Sequence, residues 1–154
     1  MPIKPENRHR YPANWKQIRE AILERAKHRC EWCGVTNHSV GRRLPDGTWD
    51  RLRGNIYIDA AGFGLSYPSM QRISYSEARE YAFHANEWPE GPPYIVIVLT
   101  IAHIHDENPE NCEPENLAAL CQRCHNKHDA PKRAQRRKEA RQSVECSHQP
   151  KLFS

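Results

Sequence analysis

The sequence predicts one α+β domain, and three observations carry that expectation. Apolar residues recur at helical spacing in two separate stretches: Trp15, Ile18, Ile22 and Ala26, then Ala78, Tyr81, Ala82, Ala85 and Trp88. A β-branched run, YIVIVLTIA (Tyr94 to Ala102), suits a buried strand. Two C-x-x-C pairs, Cys30 with Cys33 and Cys121 with Cys124, bracket most of the chain and would draw its two halves to one point. At 154 residues the chain has the size of a single domain with a modest core.

The elements follow in order. Asn14 with Gln17 resembles a capping box and opens a first helix that ends near His28, delivering the chain to CEWCG. The stretch from Gly41 to Gly64 is turn-rich (LPDGTW), and its alternating run NIYID suits a strand in a hairpin. Ser74 and Glu77 form a capping box for the second helix, which the breaker PEGPP ends. After the strand come a polar loop, HIHDENPENCEPEN, and a short apolar piece, LAAL, that runs into CQRCHNKHD. Residues 142–154 are expected to be a disordered tail behind a single domain spanning 1–141, and no internal repeat is evident.

Composition excludes several classes. The longest apolar run is about half of the roughly 18 residues a membrane span needs. The N-terminal MPIKPENRHRYP has no apolar signal region, so a cytoplasmic protein is expected, and disulfides are not the default use of its six cysteines. Net charge is +4 but uneven: residues 1–29 carry +5 and residues 127–141 another +5, leaving −6 for the remainder. Basic segments flanking an acidic middle suit a polyphosphate partner, although such segments also serve as solvated surface.

Two residues between cysteines let both sulfurs of a tight knuckle face one point, and two knuckles make the tetrahedral cage, with bonds of about 2.3 Å, that structural zinc prefers. The long separation of the pairs makes the hairpin and helix between them an insertion. A thioredoxin-like redox pair fits less well because no βαβ pattern surrounds Cys30 and Cys33. CQRCH also matches a c-type haem attachment motif, but without an export signal. Cys112 and Cys146 stand apart and are expected to be incidental thiols, and His28, His38 and His84 to be structural or exposed.

His103 and His105 follow the strand, Asn116 lies in the loop, and His125 follows the second knuckle. In that order, LTIAHIHDENPENCEPENLAALCQRCHNKHD resembles the HNH endonuclease family, and NWKQIREAILERAKHRCEWCG is similar to the helix and knuckle of zinc-containing bacterial and phage members. The likeness covers 11–40 and 94–135 and leaves 41–93 as an insertion. It implies a ββα-metal core that hydrolyses DNA with Mg2+, Mn2+ or another divalent cation, working in the bacterial host cell beside a structural Zn2+. It further implies His103 as general base, Asn116 as the group that orients the loop or touches the metal, and His125 as a metal ligand.

One position departs from the pattern. An acidic metal ligand precedes the first His in most members, and here that residue is Ala102. His105 and Asp106 are the candidates to replace it, with Asp106 the harder ligand for magnesium or manganese. His128 and Asp129 lie on the same helix as His125, His128 as a surface or phosphate-contacting group. Lys132, Arg133, Arg136, Arg137, Lys138 and Arg141 are the expected contacts to phosphate backbone. A zinc-stapled nucleic-acid-binding module without catalysis is the rival reading that Ala102 keeps open.

Overall fold

In the computed structural model, residues 5–57, 64–68, 72–87 and 91–147 are described. Helix α1 (Trp15–Arg25) buries Ile22 and Leu23 and rests Trp15, Ile18 and Ala26 against the same cluster, so the apolar spacing does mark its inner face. Asn14 does not cap it: the residue has ψ near 19° instead of an extended backbone, and its side chain makes no capping bond. Lys27 and His28 take positive φ, 50° and 52°, and this left-handed pair turns the chain sharply into Cys30.

The inserted segment begins with strands β1 (Val40–Arg43) and β2 (Trp49–Arg51), joined by a turn at Leu44–Thr48 in which Gly47 sits at φ 85°. Strands β3 (Asn55–Tyr57) and β4 (Gly64–Ser66) form the expected hairpin; Ile58 and Asp59 of NIYID lie outside the described residues. Helix α2 (Tyr75–Ala85) starts with the Ser74–Glu77 capping box fully formed and buries Ala78 and Ala82. Trp88, expected on the same face, lies outside the described residues.

The apolar run after Tyr94 makes two strands, not one. Strand β5 (Ile95–Val96) joins the insertion sheet, ordered β2-β1-β5, whereas β6 (Leu99–His103) pairs antiparallel with β7 (Leu117–Cys121). Between them the chain changes partner. Ile97 exchanges backbone bonds with His38 and Ser39, and the buried Asn37 side chain accepts from Leu99 N at 2.9 Å.

Strand β7 is buried along its whole length and feeds directly into helix α3 (Gln122–Ser147). The helix passes the 141 boundary expected for the tail. Residues 148–154 and the side chain of Cys146 lie outside the described residues. Pro131 lies inside α3, where it deprives the Lys127 carbonyl of its helical donor. Two apolar clusters result: one joins α1, β6, β7 and the cysteines, and a smaller one (Val40, Leu52, Tyr67, Ala78, Ala82) lies in the insertion. Among the described residues no helix is long and apolar enough to cross a membrane.

Candidate metal centre and histidine cleft

The knuckle after α1 and the end of β7 bring Cys30, Cys33, Cys121 and Cys124 together, with all four sulfurs within 4.8 Å of one another. Three are buried and Cys33 is exposed. Cys33 Sγ lies 3.7 Å from Cys121 Sγ, and Cys121 N donates to Cys30 Sγ at 3.3 Å. Burial and the neighbouring sulfurs raise the thiols of Cys121 and Cys124, whereas backbone N–H groups of Cys121, Cys33 and Trp32 outweigh burial to lower Cys30. Four thiols at this spacing can hold a metal ion. Glu31 locks the knuckle to the strand: its N donates to Ala119 O at 3.0 Å and its carboxylate accepts from Ala119 N at 2.6 Å. Arg25 joins in from α1, with Nη2 2.9 Å from Glu31 Oε1 and 2.6 Å from Leu117 O. Cys112 stands apart, half-buried, its thiol on Pro109 O.

Beside the cage lies a cleft of about 930 Å3 with β6 as its floor. Tyr11, Trp15 and Arg19 make one wall; His125, Asp129, Lys132, Arg133 and Arg136 of α3 make the other. His103 enters from the strand end. Its ring stacks on Trp15 (centroids 6.2 Å apart, planes 10° apart) and meets the edge of Tyr11 at 6.1 Å. Nε2 of His103 is buried without a hydrogen-bond partner. Burial holds the imidazole pKa below its usual 6.5, with the Asp106 carboxylate opposing and His125 assisting.

His125 is fixed by Thr100. Thr100 Oγ1 lies 2.7 Å from His125 Nδ1 and 3.3 Å from Leu120 O, so the hydroxyl bridges the ring to strand β7. Nε2 of the ring lies 3.6 Å from Asp129 Oδ2, one helical turn on. Burial lowers His125 below 6.5 against the pull of Asp129.

Asn116, 5 % exposed, spends its amide on the loop. Oδ1 accepts from His105 N (3.0 Å) and Asp106 N (2.8 Å), and Nδ2 donates to Asp106 O and Asn111 O, both at 2.9 Å. Both acceptor sites and both donors are used, so of the two roles expected for it the geometry fits orientation of the loop. His105 and Asp106 are exposed and are not among the residues lining the cleft. Asp106 is occupied locally: Oδ1 accepts from Asn108 N at 2.9 Å and Oδ2 from Asn111 Nδ2 at 3.0 Å. Among the described residues, the sets of three or more metal-binding side chains within 4.8 Å are the four cysteines and the surface group Glu20, Glu24 and His28.

Of the six basic residues expected to meet phosphate, Lys132, Arg133 and Arg136 line the cleft, while Arg137, Lys138 and Arg141 lie farther along the exposed helix. Glu107 pairs with both Lys132 and Arg136 at 2.7 Å, and the Lys132 ammonium holds its carboxyl below the usual range. His128 binds Asp129 Oδ1 at 3.1 Å and Ile104 O at 3.3 Å, and meets the exposed Trp32 edge-on. His28, His38 and His84 each have a local partner: Glu24, Ile73 O and Glu87. The spacing of Asp129 from His125 is legible as one helical turn; nothing in the sequence singles out Thr100, Tyr11 or Glu107. None of the family models, curated proteins or solved structures compared with the chain matches it.

Proposed function

We propose that the chain is a metal-dependent endonuclease that hydrolyses DNA phosphodiester bonds in the His103–His125 cleft, with Zn2+ in the four-cysteine cage. The observation that carries this reading is the meeting of His103 and His125 in one basic-walled cleft built by a β-hairpin and the helix that follows it. That arrangement agrees with the ββα-metal core implied by the HNH resemblance.

His103 does the proton transfer in this reading. Burial keeps it neutral near pH 7, Trp15 sets the plane of its ring, and no protein group competes for its Nε2. His125 and Asp129 present an imidazole nitrogen and a carboxylate to one point, a donor pair suited to Mg2+ or Mn2+. Such a cation, when bound, neutralises charge on the phosphoryl oxygens and the leaving alkoxide. Asp129 therefore takes the place offered to His105 and Asp106 as the acidic ligand, since Ala102, 1 % exposed, lies in the core. Asn116 holds the loop behind His103, and Lys132, Arg133 and Arg136 meet the DNA backbone.

A non-catalytic nucleic-acid-binding module is the second reading, favoured by the fact that the close metal-binding sets include neither histidine of the cleft. Plasmid cleavage with Mg2+ or Mn2+, against a chelator control, separates the two. His103→Ala should lower the cleavage rate about a hundredfold to ten-thousandfold with DNA affinity and thermal midpoint retained. His125→Ala and Asp129→Ala should recover in part at higher metal concentration. A parent protein that fails to cut DNA whichever divalent cation is supplied leaves the binding module; a His103→Ala variant cutting at the parent rate removes His103 from the chemistry.

A further inference from the structure

Resting on the nucleic-acid reading above, we propose that the inserted β1–β2 hairpin and the first turn of α3 form a second phosphate subsite, which holds a backbone phosphate of the strand beyond the cleft. The site is a cavity of about 420 Å3 lined by Arg43, Arg123, Gln122 and Asn126 and by Ile95 and Ile97, with more apolar than polar surface facing it. Gln122 lines both this cavity and the larger cleft, so the two are neighbours across one residue. A strand leaving the cleft past Gln122 enters the cavity.

Two guanidiniums face this space for reasons that the sequence order hides. Arg43 and Trp49 are cross-strand partners, and the guanidinium lies 4.9 Å from the Trp49 ring centroid. That stacking fixes the side chain without consuming its donors. Arg43 Nη2 is buried with no hydrogen-bond partner, and Nη1 has a single long contact, 3.4 Å to Gly47 O. Arg123 reaches across from α3 and donates through Nη1 to Gly47 O, which ties the hairpin turn to the helix. The carboxylates of the hairpin bond elsewhere, Asp46 accepting from Thr48 N and Oγ1, both at 2.8 Å, and Asp50 pairing with Arg42 at 3.0 Å, although the Arg123 charge also helps to hold Asp46 below its usual range. A buried guanidinium nitrogen left unpaired is costly, and turning the guanidinium into the cavity to meet a phosphate oxygen satisfies it with a charge-assisted hydrogen bond.

The middle of the chain carries net negative charge, so this basic pocket is invisible in a charge profile. The insertion thereby extends the path of the strand by one phosphate beyond the α3 wall.

The test uses the full chain with its metal. Ile95 is an exposed residue of the pocket wall on β5, so Ile95→Glu places a carboxylate there, and its thermal midpoint checks that the fold is kept. Arg43→Gln removes the unpaired guanidinium. Fluorescence anisotropy with a labelled DNA duplex, repeated across a salt series, should show each variant losing about 0.9 units of the slope of log affinity against log salt, or about eightfold in affinity at 0.1 M salt. Parent slope and affinity in both variants overturn the subsite.

Failure of the underlying nucleic-acid reading shows differently, as a parent that binds no duplex. The subsite is then decided by inorganic phosphate, titrated while the Nε–Hε resonances of Arg43 and Arg123 are followed by NMR. Shifts abolished by Ile95→Glu support an anion site; no shift, or shifts that Ile95→Glu leaves unchanged, overturn it.

Discussion

Replacing Asn116 by alanine removes four hydrogen bonds at once, two accepted and two donated, from a residue 5 % exposed. At about 0.5–1.5 kcal/mol net for each, the gross loss is about 2–6 kcal/mol. The groups left behind belong to His105, Asp106 and Asn111, of which the first two are exposed, so water replaces part of what is lost. The lower part of the range, about 2–3 kcal/mol, is the expected cost. For a chain of this size that is a fall in thermal midpoint of roughly 5–10 °C. Calorimetry or thermal circular dichroism with zinc held constant measures it. Asp106→Ala is the control: it removes contacts at an exposed carboxylate and should leave the midpoint nearly unmoved. If Asn116→Ala melts within about 2 °C of the parent, a threshold of roughly a third of the expected shift, the four bonds are not what orders the loop. If it melts early yet cleaves DNA at the parent rate, the loop does not position His103.

Removing zinc with a chelator, or substituting Cys121→Ser in the fully buried β7, should abolish cooperative unfolding; elemental analysis of folded protein that shows no zinc would refute the cage. Glu107→Gln releases Lys132 and Arg136 from their shared carboxylate, so DNA affinity should rise and the salt dependence steepen, read by anisotropy, with unchanged affinity as the contrary result. The cleft histidines set a signed pH dependence. His103 and His125 have folded pKa values below 6.5, so below that pH the unfolded chain takes up protons that the folded chain refuses. Stability should therefore fall as pH drops from about 7.5 through 6.5, and the fall should be shallower in His103→Gln by urea titration; an identical pH slope in the variant contradicts the assignment.

The cysteine cage is legible because C-x-x-C spacing leaves few productive geometries, and the Ser74–Glu77 box because both its bonds are local. His103 and His125 line one cleft, whereas Asn116 is spent on the loop and does not line it. The acidic partner proposed for His125 is legible only in part: Asp129 shows its helical spacing, but that Asp106 is consumed by its own turn while Asp129 is carried on the face of α3 toward the cleft is set by the fold. The strand after Tyr94 reads as too long since the run from Ile95 to Ala102 is mostly β-branched and carries no breaker. Its break is imposed by Asn37 and Ser39, far away along the chain. Asn14 fails as a cap for a backbone reason, its ψ, which composition does not report.

The pairing of Val40 with Val96 and of Gly41 with Ile95 means that the inserted segment leaves and re-enters the domain through adjacent positions. To the rest of the protein it is a loop whose two ends are already joined. The entropy of closing such a loop grows only logarithmically, about 0.6 kcal/mol for each doubling of length. The cysteine and histidine sites are thus insulated from how much chain hangs beyond this doorway, and whole hairpins could be gained or lost past Leu52 at small cost to them. The doorway itself has no such tolerance. A slip of one residue at Val40, which is fully buried, would turn its side chain to the opposite face of the sheet and carry Arg43 away from α3.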